Sequence, residues 1–232
     1  MSIINPLTPD SVHVWTIFVD RFAPRRAEFE ATLSPDERQR AARFVVEEPR
    51  LRFIIARGAL RTILADYLDV APADIQFAYG ERGKPSLPES DLRFNLSHSD
   101  NIIVIAVIQN HDIGVDVEHI HAIPEMSIMA HDNFSLYEQE TLFKAPEHER
   151  ERAFFACWTR KEAYIKATGD GFSMPLRDFD VTLLPAEPPR ILRANGDDPA
   201  RWSLVHLEPD VDYIGAICVE GRDFAVIHRQ LD

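Results

Sequence analysis

Residues 94–120 read FNLSHSDNIIVIAVIQNHDIGVDVEHI, and this stretch decides the fold. Residues 94–97 and 102–108 are short segments of strand composition separated by Ser-Asp-Asn, which predicts two strands joined by a turn. Residues 113–120 alternate between apolar and other side chains, which predicts another strand with one face in the core. We therefore expect β-structure at the centre of the chain.

Helical patterns lie on both sides of this stretch. Apolar residues at helical spacing predict one long amphipathic helix over about residues 50–67 and another over residues 153–167. Gly169 and Gly171 follow the second helix and are expected to end it. Shorter helical segments are expected between residues 127 and 143.

The start of the chain carries a helix signal of its own. Ser34-Pro35-Asp36-Glu37 has the pattern of a capping box with proline at the first helical position, and Pro49 is expected to interrupt the helix that begins there. The remaining predicted strands are residues 12–19, 179–184, 202–208, 213–219 and 224–228. The chain thus divides near Asn110 into two helix-plus-strand halves, residues 1–110 and 111–232.

Composition excludes several classes of protein. Hydrophobic residues make up 45% of the 232, which is typical of a globular protein, and no apolar run has the length of a membrane span. The net charge of −13 argues against a nucleic-acid binder. The chain has two cysteines, too few for a disulfide framework or a cysteine zinc site, so we expect a reduced, cytoplasmic setting.

The segment 38–61 is locally basic. It holds seven arginines against Glu47 and Glu48, in an otherwise acidic chain. Such a run is usually a solvated helix face, and the alternative is a local site for a phosphorylated ligand.

The strand at residues 113–118 carries two acids on one face. Side chains alternate along a strand, so Gly114, Asp116 and Glu118 face away from the core that Val115 and Val117 enter. Two adjacent carboxylates repel each other unless a cation such as Mg²⁺ lies between them, and Gly114 is expected to leave room there for a bulky ligand. The alternative is an edge strand with solvated acids.

The second long helix carries a charged stripe. Trp158, Glu162 and Lys166 lie four residues apart and share one face. They form either an ordinary Glu–Lys helix pair or a third acid near a metal together with a cation for phosphate.

Ser97 and His98 invite comparison with a nucleophile and its base. Adjacent side chains on a strand point apart, so direct activation of Ser97 by His98 is geometrically poor, and hydrogen bonds from both to a ligand's phosphates fit better. Cys157 is interpreted as a core residue. Four histidines lack ligand spacing and are interpreted as surface residues: His111, His119, His121 and His131.

Five segments in this order resemble the Sfp-type 4'-phosphopantetheinyl transferases. They are RFVVEEPRLRFIIARGALR, GKP, FNLSHS, IGVDVE and WTRKEAYIKATGDG, which span residues 43–171. The resemblance implies an α+β fold of two similar halves, each a helix with an antiparallel sheet, related by pseudo-twofold symmetry with the active site between them. It also implies transfer of phosphopantetheine from coenzyme A to a serine of an apo acyl or peptidyl carrier protein, with Mg²⁺ (or Mn²⁺) as cofactor.

The resemblance assigns roles to individual residues. Asp116, Glu118 and Glu162 match the metal-binding acids, and Asp116, Glu162 and Lys166 would be catalytic. The residues matched to coenzyme A contacts are Arg40, Arg52, Lys84, Ser97, His98, Lys161 and Lys166. Glu37 stands where some members of the family have a basic residue.

Other functions stay open at this point. A metal-dependent nuclease or phosphohydrolase also uses acids and a lysine. Nucleases of the D…E-x-K kind place that lysine two residues after the acid, whereas here the lysines stand one residue before and four residues after Glu162. A non-catalytic carrier-binding protein is the other alternative. The implied transferase would act as a monomer on a transiently bound carrier, without nucleic acid or membrane.

Overall fold

The computed structural model describes residues 6–80, 83–169 and 174–231. Within these ranges the chain forms an α+β fold with two main sheets and two long helices. The helices are α1 (Val19–Phe22), α2 (Arg26–Thr32), α3 (Pro35–Ala42), α4 (Glu47–Leu68), α5 (Met126–Asn133), α6 (Leu136–Lys144) and α7 (Glu147–Thr168). The strands are β1 (Ser11–Phe18), β2 (Ala78–Tyr79), β3 (Pro85–Ser86), β4 (Leu92–Ser99), β5 (Ile102–Gln109), β6 (Ile113–His119), β7 (Phe179–Val181), β8 (Ile191–Ala194), β9 (Trp202–Leu207), β10 (Tyr213–Glu220) and β11 (Ala225–Gln230).

The two main sheets have related topologies. The first has the strand order β11-β1-β5-β4 and the second β6-β10-β9, so β1-β5-β4 and β6-β10-β9 repeat one arrangement of first, third and second strand. Neighbouring strands are antiparallel except that β11 runs parallel to β1. β11 therefore completes the sheet that contains β1, across the expected division at Asn110, which stays a prediction.

Three apolar clusters hold these layers together. One lies between α4 and the first sheet, a second between α7 and the second sheet, and the third between the two sheets. Val115 and Val117 enter the third cluster, which also contains Val104 and Ala106, as the alternation of β6 predicts. This packing turns the other face of β6 toward α7.

The capping box at Ser34 is confirmed. Ser34 accepts a hydrogen bond from the backbone of Glu37, and the Glu37 side chain returns one to the backbone of Ser34. The role of Pro49 was predicted wrongly: α3 already ends at Ala42, and Pro49 lies in the first turn of α4. Proline is tolerated there because the first-turn N–H groups have no partner within the helix.

Glu37 also explains part of the basic segment. Its carboxylate is buried and accepts hydrogen bonds from Arg57 Nε (2.7 Å) and Arg61 Nε (2.6 Å) of α4. Burial alone would raise the pKa of Glu37, but Arg57 and Arg61 hold it below its usual value. Two of the seven arginines thus bind α3 to α4 rather than a ligand.

Candidate active site

The candidate site lies at the seam where β4, the edge of the first sheet, meets β6, the edge of the second. Side chains from every second residue of β4 bond to β6 and join the two edges. The pairs are Asn95 Oδ1 with Val115 N (2.9 Å), Ser97 Oγ with Asp116 Oδ1 (2.8 Å) and Ser99 Oγ with Glu118 Oε2 (2.7 Å).

Asn95 and Ser99 are site residues that the sequence analysis missed. The signal was present, because Asn95, Ser97 and Ser99 share the period of two that Asp116 and Glu118 also follow. Two strands with matching polar faces can be aligned only when their relative placement is known. The structure supplies that placement.

Asp116 is the centre of the cluster. It is buried, and its Oδ1 accepts hydrogen bonds from Ser97 Oγ (2.8 Å) and Lys166 Nζ (2.6 Å). Lys166 Nζ also donates to Ser97 Oγ (3.1 Å), which closes a three-membered network across both sheets and α7. The second oxygen, Oδ2, is buried with no hydrogen-bond partner among the described residues. A buried carboxylate oxygen in that state indicates a position that a cation or a ligand donor would satisfy.

The stripe predicted on the second long helix is the part of α7 that faces this cluster. Over residues 153–167 the partly exposed side chains are Trp158, Glu162 and Lys166, and the others are buried. Cys157 is buried in the core, as expected.

The two other acids are electrostatically coupled to Asp116. Burial, followed by the negative charge of Asp116, raises the pKa of Glu118 and of Glu162. Lys166 lowers both values, but the net direction remains upward. At both glutamates the charge of Asp116 outweighs the opposing charge of Lys166.

Gly114 has a different role from the predicted one. A Cβ at this position would lie 2.0 Å from Ala163 O and 2.4 Å from Ala167 N of α7. The expectation that Gly114 leaves room for a ligand is therefore wrong, because the helix backbone fills that space. Glycine instead lets α7 approach β6 closely enough for Lys166 to reach Asp116.

Arg52 and His98 lie together at one rim of the seam. His98 is exposed, on the opposite side of β4 from Ser97, so the two do not form a nucleophile–base pair. Partial desolvation of the ring, followed by the positive charge of Arg52, lowers the pKa of His98. Arg52 Nη1 donates to Asp100 O (2.8 Å). Phe53 follows Arg52 on the same helix, and the guanidinium carbon of the exposed Arg40 lies 5.2 Å from the centroid of the Phe53 ring.

Lys161 lies apart from this cluster. It is fully buried, forms an ion pair with Glu138 of α6 (2.8 Å), and donates to Leu176 O and Phe179 O (both 2.7 Å). Its assignment as a coenzyme A contact stays a prediction that this position does not favour.

Lys84 is also engaged by the protein itself. Its Nζ donates to the backbone carbonyls of Ile113 (3.0 Å), Lys166 (2.6 Å) and Ala167 (3.3 Å).

The end of α7 is described in part. Gly169 caps the helix with φ 74°. Gly171, which was expected to help end the helix, lies outside the described residues.

The donor set fits a hard cation in chemistry. Asp116, Glu118 and Glu162 offer carboxylate oxygens, the ligands that Mg²⁺ prefers, and Asp116 Oδ2 is unsatisfied. In the parts of the chain described, however, no three His, Cys, Asp or Glu side chains are arranged to hold an ion.

The helices were also compared with the requirements of a membrane span. Among the described residues, no helix is both long and apolar enough to cross a membrane.

Comparison with known proteins identifies the family of this chain. A family model described as "4'-phosphopantetheinyl transferase superfamily" matches residues 112–218, and one described as "4'-phosphopantetheinyl transferase, N-terminal" matches residues 20–110. The 4'-phosphopantetheinyl transferase HetI of Nostoc sp. is 42% identical over 93% of this chain and 90% of its own.

Two further similarities are weaker. A 4'-phosphopantetheinyl transferase of Bacillus subtilis is 31% identical over 91% of this chain and 93% of its own. The crystal structure of Thermotoga maritima holo-[acyl-carrier-protein] synthase has 18% identity and a TM-score of 0.37 over 47% of this chain and 62% of its own, too low to carry an argument. The identity to HetI extends over nearly the whole length of both chains, and on that basis this chain belongs to the 4'-phosphopantetheinyl transferase family.

Proposed function

We propose that the protein transfers the 4'-phosphopantetheine group of coenzyme A to a serine hydroxyl of an apo acyl or peptidyl carrier protein, releasing 3',5'-ADP. The observation that carries the proposal is the network of Asp116, Lys166 and Ser97, which joins both sheets and α7 at the seam. A phosphoryl transfer needs positioning and positive charge at the reacting phosphate, and this network offers an ammonium beside a free carboxylate oxygen.

The reaction replaces one P–O bond by another. The carrier serine oxygen bonds to the phosphorus next to the pantetheine arm, and the bond from that phosphorus to the oxygen of the leaving 3',5'-ADP breaks. The serine proton passes to Glu162 or to a water that Glu162 orients. Lys166 offsets negative charge on the reacting phosphate. Asp116 holds Lys166 in place for this task (2.6 Å).

Asp116, Glu118 and Glu162 would hold the metal ion. Mg²⁺, or Mn²⁺ in its place, supplies Lewis-acid stabilisation of the pyrophosphate and of the leaving group when bound. The unsatisfied Asp116 Oδ2 and the raised pKa values of the two glutamates support this, because both are relieved by a neighbouring cation.

Coenzyme A would bind along the rim that Arg52 and His98 form. Arg52 of α4, with Arg40 of the preceding helix α3, provides positive charge for the nucleotide phosphates, and His98 provides a ring N–H donor. Ser97 and Lys166 would meet the pyrophosphate from the seam. Their present bonds to Asp116 must then be shared with the ligand or exchanged for it.

The partner would be an apo carrier protein that binds transiently. Carrier proteins of this class are usually acidic, and this chain has a net charge of −13, so long-range attraction is weak and local contacts must select the carrier. We propose that the protein is a monomer, because both halves that form the seam come from one chain. We also propose that it acts in the cytoplasm, the reduced setting that its two cysteines favour. Sedimentation at micromolar concentration tests the monomer, and a trimer with shared sites would contradict it.

The deciding experiment is an intact-mass assay. The protein is incubated with coenzyme A, Mg²⁺ and a panel of apo carrier proteins, with matched carriers whose acceptor serine is replaced by alanine. We expect the mass of one phosphopantetheine group to be added to the serine carriers only, and the addition to stop with EDTA and resume with excess Mg²⁺. No gain on any carrier would remove the proposal, whereas a gain unaffected by EDTA would remove the metal alone.

A further inference from the structure

The family resemblance assigns Lys84 to the nucleotide, but its ammonium is already engaged. Lys84 comes from the loop before β3, on the side of the first sheet. Its Nζ donates to three backbone carbonyls of the second half, those of Ile113 (3.0 Å), Lys166 (2.6 Å) and Ala167 (3.3 Å). An ammonium has three protons, so these bonds use its full donor capacity.

The three carbonyls belong to the two elements that carry the chemistry. Ile113 is the first residue of β6, the strand of Asp116 and Glu118. Lys166 and Ala167 lie in the last turn of α7, where carbonyls have no partner within the helix and the helix dipole is negative. One ammonium therefore fixes the start of the acidic strand against the end of the catalytic helix.

The surroundings make this tie stronger than a surface contact. Lys84 lines a cavity of about 270 Å³ with Arg93, Asp112 and Thr168. Burial lowers the pKa of Lys84, while the charge of Asp112 opposes that change. A cation in such a place persists because its hydrogen bonds replace those that water made.

We propose that Lys84 is a positioning residue, which holds the main chain of Lys166 so that its side-chain ammonium stays on Asp116 and Ser97. The same residue of α7 is thus held at both ends, by Lys84 at its carbonyl (2.6 Å) and by Asp116 at its Nζ (2.6 Å). Loss of Lys84 lets the last turn of α7 move, and a displacement of about 1 Å at a reacting group can cost on the order of 100-fold in rate. This inference rests on the proposed transferase activity, but one of its tests does not.

The kinetic test compares Lys84→Met with the wild type, using coenzyme A and 3'-dephospho-coenzyme A as donors. If Lys84 positions Lys166, kcat falls roughly 10- to 100-fold with both donors, and the preference for coenzyme A over the dephospho form is unchanged. If Lys84 binds the 3'-phosphate, KM rises for coenzyme A alone and the preference collapses, which overturns the proposal. A loss of thermal stability with kcat unchanged, measured well below the melting temperature, overturns it as well.

Two variants serve as controls. Lys84→Arg keeps a cation and donors at the site, so we expect it to recover part of the lost kcat. Arg93→Met removes a neighbouring cation of the same cavity that donates to Ser90 and Leu92 of its own segment rather than to α7, so its kcat should match the wild type.

Amide hydrogen exchange separates this inference from the proposed function. In Lys84→Met, exchange should quicken in peptides that cover the last turn of α7 and the start of β6, and stay unchanged in α4. This readout needs no activity, so an inactive wild type would remove the transferase proposal and leave the positioning tie to be judged by exchange. Unchanged exchange at α7 would overturn the tie.

Discussion

Helices α4 and α7 are both 22 residues long, and each is tied by a buried ion pair to the short helix before it. In the first half Glu37, the third residue of α3, accepts from Arg61 (2.6 Å). In the second half Glu138, the third residue of α6, pairs with Lys161 (2.8 Å). Both glutamates also close a capping box, with Ser34 and Ser135.

The two cations perform one further task in common. Arg61 Nη1 donates to the carbonyls of Pro72 and Ile75, in the segment after α4. Lys161 donates to two carbonyls in the corresponding segment after α7, those of Leu176 and Phe179. Lys161 is thus the structural counterpart of Arg61, which accounts for its burial away from the acidic seam.

The two halves differ in the side chains that the first strand of each directs toward its long helix. β6 presents Asp116 and Glu118, with Lys166 on α7. β1 presents His13 and Trp15, which both bond to the hydroxyl of Tyr67 on α4 (2.6 and 3.2 Å) and are buried. One framework therefore holds a closed aromatic cluster in one half and an acidic site in the other, so the chemistry depends on a few side chains rather than on the framework.

Asp116→Ala should produce the largest effect, because it removes a carboxylate of β6 that has no counterpart on β1. Lewis-acid and charge stabilisation by a metal is worth several kcal/mol, and each 1.4 kcal/mol is about tenfold in rate, so kcat/KM should fall by about 100-fold or more. The free energy of unfolding should change little, since repulsion with Glu118 and Glu162 is relieved. Carrier mass assays and urea unfolding measure the two quantities, and full activity at ordinary Mg²⁺ would remove Asp116 from the site.

Lys161→Met and Arg61→Met test whether the two ties are equivalent. Lys161→Met leaves the buried Glu138 without its cation and should lower the free energy of unfolding by about 3–5 kcal/mol. Arg61→Met should cost less, because Arg57 still pairs with Glu37. Lys144→Met, which breaks the exposed pair with Glu140, should cost no more than about 0.5 kcal/mol. A Lys161→Met protein of wild-type stability with a raised KM for coenzyme A would instead make Lys161 a ligand contact.

His13 should make the stability of the first half depend on pH. Burial, followed by the charge of Arg229, lowers its pKa from 6.5 to about 4, so between these values the unfolded chain binds a proton that the folded chain excludes. Stability is then fully present above pH 6.5 and is lost as the pH falls toward 4, by a few kcal/mol at most, since one pKa unit is about 1.4 kcal/mol. Urea unfolding of His13→Gln should lose this part of the slope, and the exposed His148→Gln should keep it.

Ser99→Ala should have the smallest effect. It removes the donor to Glu118 and the acceptor for His119 N (3.1 Å), which costs about 0.5–1.5 kcal/mol of stability. Glu118 is a proposed metal ligand, and an outer partner such as Ser99 orients a metal ligand. The Mg²⁺ concentration for half-maximal activity should therefore rise roughly tenfold, while turnover at saturating Mg²⁺ changes little. Ser86→Ala, on an exposed strand, is the matched control, and an unchanged Mg²⁺ requirement would separate Ser99 from the site.

Much of the framework was predictable because its signals are local. The alternation at residues 113–118, the capping box at Ser34 and the apolar period of both long helices each act within a few turns of chain. The short strand β8 was missed, since its four residues have two exposed positions and no clear alternation.

The site was less predictable because its contacts are long-range. The sequence places Asp116, Glu162 and Lys166 on suitable faces, but it does not reveal that Lys84 reaches α7 or that Asn95 and Ser99 join β4 to β6. Gly114 was interpreted through ligand chemistry, whereas its position is dictated by packing against α7, far along the chain. The assignment of Lys161 to coenzyme A stays a prediction.

The pairing of β1 with β11 has a consequence for biosynthesis. Ser11 aligns with Ala225, so the first sheet lacks its fourth strand until synthesis has reached β11. At roughly 5–20 residues per second, the ribosome needs about 10–40 s to cover that separation. For that time β1 is an edge strand with unpaired backbone groups, open to other chains. Slow steps in folding, and any early protection by a chaperone, should therefore concentrate on β1 rather than on the second sheet.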